Sequence, residues 1–298
     1  MSSRSYYKSK THQNQKHLKI GEFNTLKVIK KVDFGVYLDA GDVNENGYGN
    51  ILLPKRYVTE GLDIGDDAHV FIYTDSNDEL IATTQEPRIC VGECAYLKVK
   101  DVNDVGAFLD WGIAKDLFVP FDEQHKRFEV DKSYVVYAYL DPHSERVLAS
   151  SRLSRHLKEE AINLKPQQKV KLLICGRSEM GYKAVINHQF LGLIFRDDAF
   201  KTLRYGQRTT GYIKYIRDDQ KIDLSLQLPS SMGRKDITEQ IIDYLTAAGG
   251  SSSMTGKADP EDIYDIFNVS KKNYKKALGA LYKQKRITIT PDKISLVK

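Results

Sequence analysis

One phrase occurs three times in the chain, and that repetition limits the possible folds more than any other feature. Val102–Gly112 reads V-N-D-V-G-A-F-L-D-W-G, Val32–Ala40 reads V-D-F-G-V-Y-L-D-A, and a weaker copy, E-M-G-Y-K-A-V-I, spans Glu179–Ile186. Each reads as a strand, a turn carried by glycine and a second strand. Gly35, Gly106 and Gly181 stand 71 and 75 residues apart. Two further landmarks follow each copy in the same order. The first is Ile64-Gly-Asp, Val130-Asp-Lys or Tyr205-Gly-Gln; the second is E-L-I-A-T-T from Glu79, R-V-L-A-S-S from Arg146 or K-I-D-L-S-L from Lys221. Landmarks in fixed order at a nearly fixed period mark an array of structural repeats. Units of about 65–75 residues lie near the lower limit for a core that folds alone.

Charge divides the chain. The overall balance is +5. Residues 1–19 carry Arg4, Lys8, Lys10, Lys16 and Lys19 with no acid, and residues 271–286 carry six lysines and Arg286, again with no acid. The remainder is therefore net acidic, and neutralisation of phosphate, which dominates non-specific nucleic-acid affinity, falls to the two ends. Residues 1–19 hold almost nothing to bury and read as a disordered basic arm. Cys90, Cys94 and Cys175 are too few and too irregular for a disulfide framework or a zinc site. No apolar run reaches membrane-span length, so a cytoplasmic protein with no membrane partner is expected. Tyrosine is abundant at 18 residues, which suits both strands and base-stacking surfaces.

The pattern V-x-D-x-G-A-F-L-D, the apolar L-F-V-P, a G-Q or G-D turn and the closing K-I-D-L-S-L resemble the S1-type RNA-binding domain of ribosomal proteins. Three such units followed by a small basic helical domain resemble the conserved virulence factor B (YitL) family. The resemblance implies a mainly β chain with a small α+β C-terminal domain: three tandem five-stranded OB-fold barrels followed by a winged helix. The expected boundaries are 20–87, 88–153, 154–229 (opening with a linker helix that uses Leu153, Leu157 and Ile162) and 234–298.

The resemblance also places Phe34, Tyr37 and Phe108 on the barrel face where bases stack. A ring face accepts any base; packing at the barrel core or rim is the alternative reading. Val105 replaces the first aromatic of the second copy. Pro54 and Pro120 stand where the family often has histidine. Asp141 and Arg146 resemble the acid and base near the last strand, one residue further apart than is common. In the third copy Tyr212 and Lys214 alternate onto one face of a strand, an aromatic beside a cation.

In the last domain Asp236 with Glu239 reads as a capping box, Asp259-Pro260 opens a second helix and Ser270 caps a third, before a hairpin over Arg286–Val297. Along the third helix Tyr274, Ala277, Leu278 and Leu281 share one face at 100° per residue. Lys272, Lys275, Lys276 and Lys283, with Lys271 at the start, share the other. A face that excludes every acid differs from an ordinary solvated face, which mixes signs. Gly249–Lys257 has the look of a P-loop but fails in spacing and lacks the Ser/Thr after its lysine; it reads as a flexible loop. No catalytic motif or ligand cluster stands out, and no cofactor, metal or small-molecule substrate is expected. The expected role is therefore non-enzymatic binding of single-stranded RNA, with DNA, the ribosome or another protein as alternative partners.

Overall fold

The computed structural model describes residues 18–41, 49–199, 202–227, 237–267 and 269–297. The basic arm ahead of Leu18, most of the Gly41–Asn50 insertion and Asp236 of the expected capping box lie outside these residues.

Each repeat lays down five strands. The first gives β1 (Phe23–Val32), β2 (Gly35–Asp39), β3 (Asn50–Pro54), β4 (Asp67–Thr74) and β5 (Leu80–Thr83). The second gives β6 (Cys94–Val102), β7 (Gly106–Leu109), β8 (Leu117–Pro120), β9 (Ser133–Leu140) and β10 (Val147–Ser150). The third gives β11 (Lys169–Arg177), β12 (Gly181–Ile186), β13 (Phe190–Phe195), a short helix α1 (Arg196–Ala199), β14 (Arg208–Ile216) and β15 (Ile222–Ser225). All three sets close into barrels, in the orders β1-β2-β3-β5-β4, β10-β8-β7-β6-β9 and β11-β12-β13-β15-β14. In every case closure comes from a parallel pair between the third and fifth strands, the connectivity of an OB barrel.

Alternation fills the interiors. Leu38, Ile51, Leu53, Val70 and Ile72 pack inside the first barrel, and Leu172, Ile186, Ile194, Ile213 and Leu224 inside the third. Long strands bend around these cores at bulges. The register slips between Val28 and Lys30, between Ile174 and Gly176, and between Ile213 and Tyr215. An extra residue on one strand sharpens its local twist and helps the sheet curl.

The turn glycines serve close approach. A Cβ on Gly35 would stand 2.2 Å from the carbonyl oxygen of Leu53, and one on Gly181 would stand 2.0 Å from that of Ile194. Strands β2 and β3, and likewise β12 and β13, can pair to their ends only because hydrogen occupies that place.

The barrels meet through dense joints. Trp111 is buried, donates Nε1–H to the carbonyl of Ile89 at 2.8 Å and sets its ring edge-to-face on Phe71 and Tyr73. Beside it Lys115 donates Nζ–H to the carbonyls of Thr74 and Asp75 at 2.7 and 2.6 Å, and burial pulls its pKa down. Between the second and third barrels, Cys94, Val135, Leu157, Leu173 and Val185 form a separate apolar cluster, and the Tyr205 hydroxyl accepts from Val135 N–H at 2.9 Å. Leu153–Arg155 makes a single 3-10 turn in place of the expected linker helix. Beyond it a single parallel bridge joins Lys158 to Phe190, with Lys158 N–H donating to Gln189 O and Leu191 N–H donating to Lys158 O, in place of further helical turns. Among the described residues, those within 18–91, 108–119 and 138–149 form one compact unit, and those within 92–107, 120–137 and 150–297 form another.

The last domain comprises α2 (Ile237–Ala247), β16 (Ser251–Ser252), α3 (Pro260–Phe267), α4 (Lys271–Lys283), β17 (Ile287–Ile289) and β18 (Ile294–Leu296). Its sheet runs β16-β18-β17, so part of the Gly249–Lys257 loop is a strand. Ser270 caps α4, its Oγ accepting from Asn273 N–H at 3.2 Å. Helices and wing close over Ile241, Leu245, Ile263, Phe267, Tyr274 and Leu281.

Replacing Gly35 or Gly181 with alanine forces a carbonyl to move, and overpacking of this kind costs about 1–3 kcal/mol. Urea unfolding of each variant beside the wild type is expected to show a loss in that range.

Candidate nucleic-acid interface

Each barrel carries one apolar residue at the tip of its first turn, directly before the turn glycine. Phe34, Val105 and Met180 occupy this place and are 57%, 59% and 58% exposed. Backbone bonds fix the tips: Lys55 N–H donates to Phe34 O at 2.8 Å, and Arg196 N–H donates to Met180 O at 3.1 Å.

In the first barrel Phe34 sets its ring edge-to-face on Tyr37, with centroids 6.4 Å apart. Tyr37 is half-buried in the sheet. Because of the bulge at Ile29, Lys30 stands directly across from Tyr37 in the register and is exposed. Two rings and a flanking cation therefore share one end of the outer wall. The bulge hides this pairing from simple strand alternation.

The second barrel is different. Phe108 is half-buried and leans on Phe118, with centroids 5.0 Å apart, and the turn tip is aliphatic. Arg146 is ion-paired to Asp78, and the position five before the turn glycine, lysine in the first repeat, is Asp101.

In the third barrel Tyr182 points into the core, and the place three residues after the tip, Tyr37 in the first repeat, is held by exposed Lys183. Phe195 ends the neighbouring strand with the Arg217 guanidinium 5.5 Å from its ring centroid. Arg217 is held by Asp223, Nε to Oδ1 at 2.9 Å. Lys214 is the bulged residue of β14 and pairs with Asp198 at 2.7 Å. Tyr212 is half-buried, while Tyr215 is 54% exposed. Lys30, Lys183, Phe195 and Tyr215 were not singled out from sequence. Counting from the turn tip would have found Lys183; Lys30 and Tyr215 depend on register across a bulge, and Phe195 on the pairing that sets it opposite Gly181.

On α4, Tyr274, Ala277, Leu278 and Leu281 are buried, and Lys272, Lys275, Lys276 and Lys283 are exposed, as the periodicity required. Lys271 is half-buried, and its Nζ donates to the carbonyl of Lys257 at 3.1 Å. Tyr274 anchors the helix: its ring stacks on Phe267 and its hydroxyl donates to Met254 O at 2.6 Å. A cleft of about 770 Å³ brings Lys271 and Lys272 together with Arg177 and Arg196 of the third barrel, alongside the acids Asp259, Glu261 and Asp262. Among the described residues no group of three or more His, Cys, Asp or Glu is arranged to hold a metal, and no helix is long and apolar enough to cross a membrane.

Comparison with known proteins places these parts. Residues 20–85 and 91–151 match the family described as S1 domain, and residues 239–296 match the CvfB-like winged helix domain. The chain therefore carries S1 domains and a CvfB-like winged helix domain. It is similar to the uncharacterised protein YitL of Bacillus subtilis, 28% identical over 94% of each chain. Conserved virulence factor B of Staphylococcus aureus is 29% identical over 80% of this chain and 81% of its own. A solved multidomain protein with nucleic acid binding domains from Streptococcus pneumoniae aligns over 93% of this chain and 98% of its own, with 22% identity and a TM-score of 0.40. The third barrel lies outside the S1 matches, in keeping with its altered turn and its lysine in place of an aromatic, yet it closes in the same strand order as the first.

In the CvfB-like winged helix domain the Tyr274 hydroxyl fixes the lysine-bearing helix. Tyr274→Phe keeps the ring but leaves Met254 O without its donor, a change worth about 1 kcal/mol. Burial raises the Tyr274 pKa, so the phenol's contribution is complete below the ordinary tyrosine value near 10 and is lost as pH climbs through the raised folded value. Urea unfolding of the variant is expected to show both the lower stability and a weaker decline at alkaline pH.

Proposed function

We propose that this protein is a non-catalytic, cytoplasmic regulator that binds single-stranded RNA through two kinds of surface. The first is the outer wall of the first barrel. The observation that carries the reading is the exposed Phe34 set against Tyr37 with Lys30 opposite. Unpaired bases offer ring faces to such a platform, whereas a duplex hides them. The cation lies where the backbone of a stacked strand would pass. The second surface is the lysine face of α4 with Lys271, Lys272, Lys275, Lys276 and Lys283, which supplies charge to phosphates without base readout. Phe108, Arg146, Tyr212 and Lys214 belong to the same proposal as weaker contacts: Phe108 leans on Phe118, while Arg146 and Lys214 must exchange a carboxylate for a phosphate. Linking several modest sites raises the total affinity through effective concentration.

The test is fluorescence anisotropy of a labelled single-stranded RNA, beside duplex DNA, across a salt series. Tyr37→Ala is expected to lower affinity for the RNA by about 1–3 kcal/mol, the usual contribution of one stacked base. Changing Lys272, Lys275 and Lys276 together to Glu is expected to flatten the log–log salt slope by about 2, at roughly 0.7 per phosphate contact on a single strand. Tighter binding of duplex DNA, with Tyr37→Ala silent, would instead make the winged helix a DNA reader. Failure to bind either nucleic acid at moderate salt would leave protein docking as the role of the chain.

A further inference from the structure

A second concavity lies on the third barrel, across β12, β11 and β14, at the end remote from the Met180 turn. It encloses about 290 Å³, near the small end of ligand pockets, which begin at about 300 Å³. Leu173 and Val185 give it an apolar side, and polar side chains of Lys171, Asn187, His188, Arg208, Thr209 and Thr210 line the rest. Polarity there runs one way: the rim is rich in hydrogen-bond donors.

His188 shows this most clearly. Its Nδ1 lies 2.8 Å from the backbone N–H of Cys94. That N–H can only donate, so Nδ1 accepts, and the neutral ring carries its proton on Nε2. Burial lowers the His188 pKa, which favours this neutral form. Asn187 behaves alike. Its Oδ1 accepts from Lys171 N–H at 2.9 Å, which leaves the amide NH₂ to donate. Asn187 and His188 are both left-handed, at φ 47° and 64°, in the three-residue connection between β12 and β13, where such conformations usually select glycine or asparagine. A histidine held in that conformation is a feature to be explained by function. Lys171 and Arg208 flank the pair. Neither has an ion-pair partner among the described residues, and both charges act on His188. The one opposing charge that acts on the ring is that of Glu93. Thr209 and Thr210 add hydroxyls at the wall.

We propose that this pocket binds the phosphate monoester of a nucleotide, either free or at the end of an RNA strand. Lys171 and Arg208 supply charge to the phosphate, His188 Nε2–H and the Asn187 amide supply directed donors, and the apolar side at Leu173 and Val185 takes the base or sugar face. The pocket uses residues apart from the stacking platform and the α4 lysines, so the proposal stands independently of the RNA reading.

Isothermal titration of the full chain with adenosine monophosphate, inorganic phosphate and adenosine tests it. A second titration compares one short RNA carrying a terminal phosphate with the same RNA ending in hydroxyl. Adenosine monophosphate is expected to bind saturably and more tightly than either phosphate or adenosine. Arg208→Ala, at an exposed position, is expected to weaken it about tenfold, as loss of a charge-assisted hydrogen bond does; Lys165→Ala, exposed and off the pocket, should leave it unchanged. If the RNA with the terminal phosphate alone gains affinity, and Arg208→Ala removes that gain, the source is the strand end. The proposal is overturned if Arg208→Ala and Lys171→Ala bind both probes as the wild type does, or if adenosine binds as well as its monophosphate. Binding of the hydroxyl-ended RNA, which reports the stacking platform, should be the same in Arg208→Ala and wild type.

Discussion

A carbonyl oxygen lying where a side chain would begin is the constraint on which the first and third barrels depend. The oxygens of Leu53 and Ile194 sit over Gly35 and Gly181, so the second and third strands stay paired up to the turn. That pairing holds the third strand in place to accept the fifth in parallel and close the wall. It also fixes the residue before each glycine. With the glycine pressed inward against a backbone, the preceding side chain has only solvent to face, and Phe34 and Met180 are accordingly exposed. Closure of the core and presentation of the tip are thus two results of one contact.

On this common frame the three repeats have diverged in chemistry. The first keeps two rings and a lysine. The second replaces the tip ring with Val105 and commits Arg146 to Asp78. The third exchanges the sheet aromatic for Lys183 and sets Arg217 over Phe195, while Asp198 and Asp223 hold Lys214 and Arg217. A barrel of this size gains from burying wall as well as interior. The second barrel uses wall at Trp111 and at the cluster around Cys94, which leaves less of it to present to a ligand. The division of labour between barrels follows from which walls are covered.

Much of this was legible in the chain. Turn glycines, strand alternation and the helical spacing of α4 are short-range signals, and they located the barrels, the wing and the lysine face. Long-range contacts left no such trace. Lys30 meets Tyr37 only because Ile29 is bulged, and the His188 ring meets a backbone amide 94 residues away. Leu153 and Leu157 stand four apart, as on a helix face, yet Lys158 is drawn into pairing beside β13, and a tertiary partner outweighs local propensity. Ser251–Ser252 looked like loop because two small polar residues become a strand only when β18 lies alongside.

Trp111 is the sole tryptophan of the chain, and it lies at the seam between the first two barrels against Phe71 and Tyr73. Its indole emission is therefore a private optical gauge of one seam in a molecule of four domains. Solvent entering there would redden the spectrum, while melting confined to the winged helix would leave it dark to the eye of the fluorimeter. Paired with circular dichroism, which sees every strand and helix, that one ring can tell in what order the domains come apart.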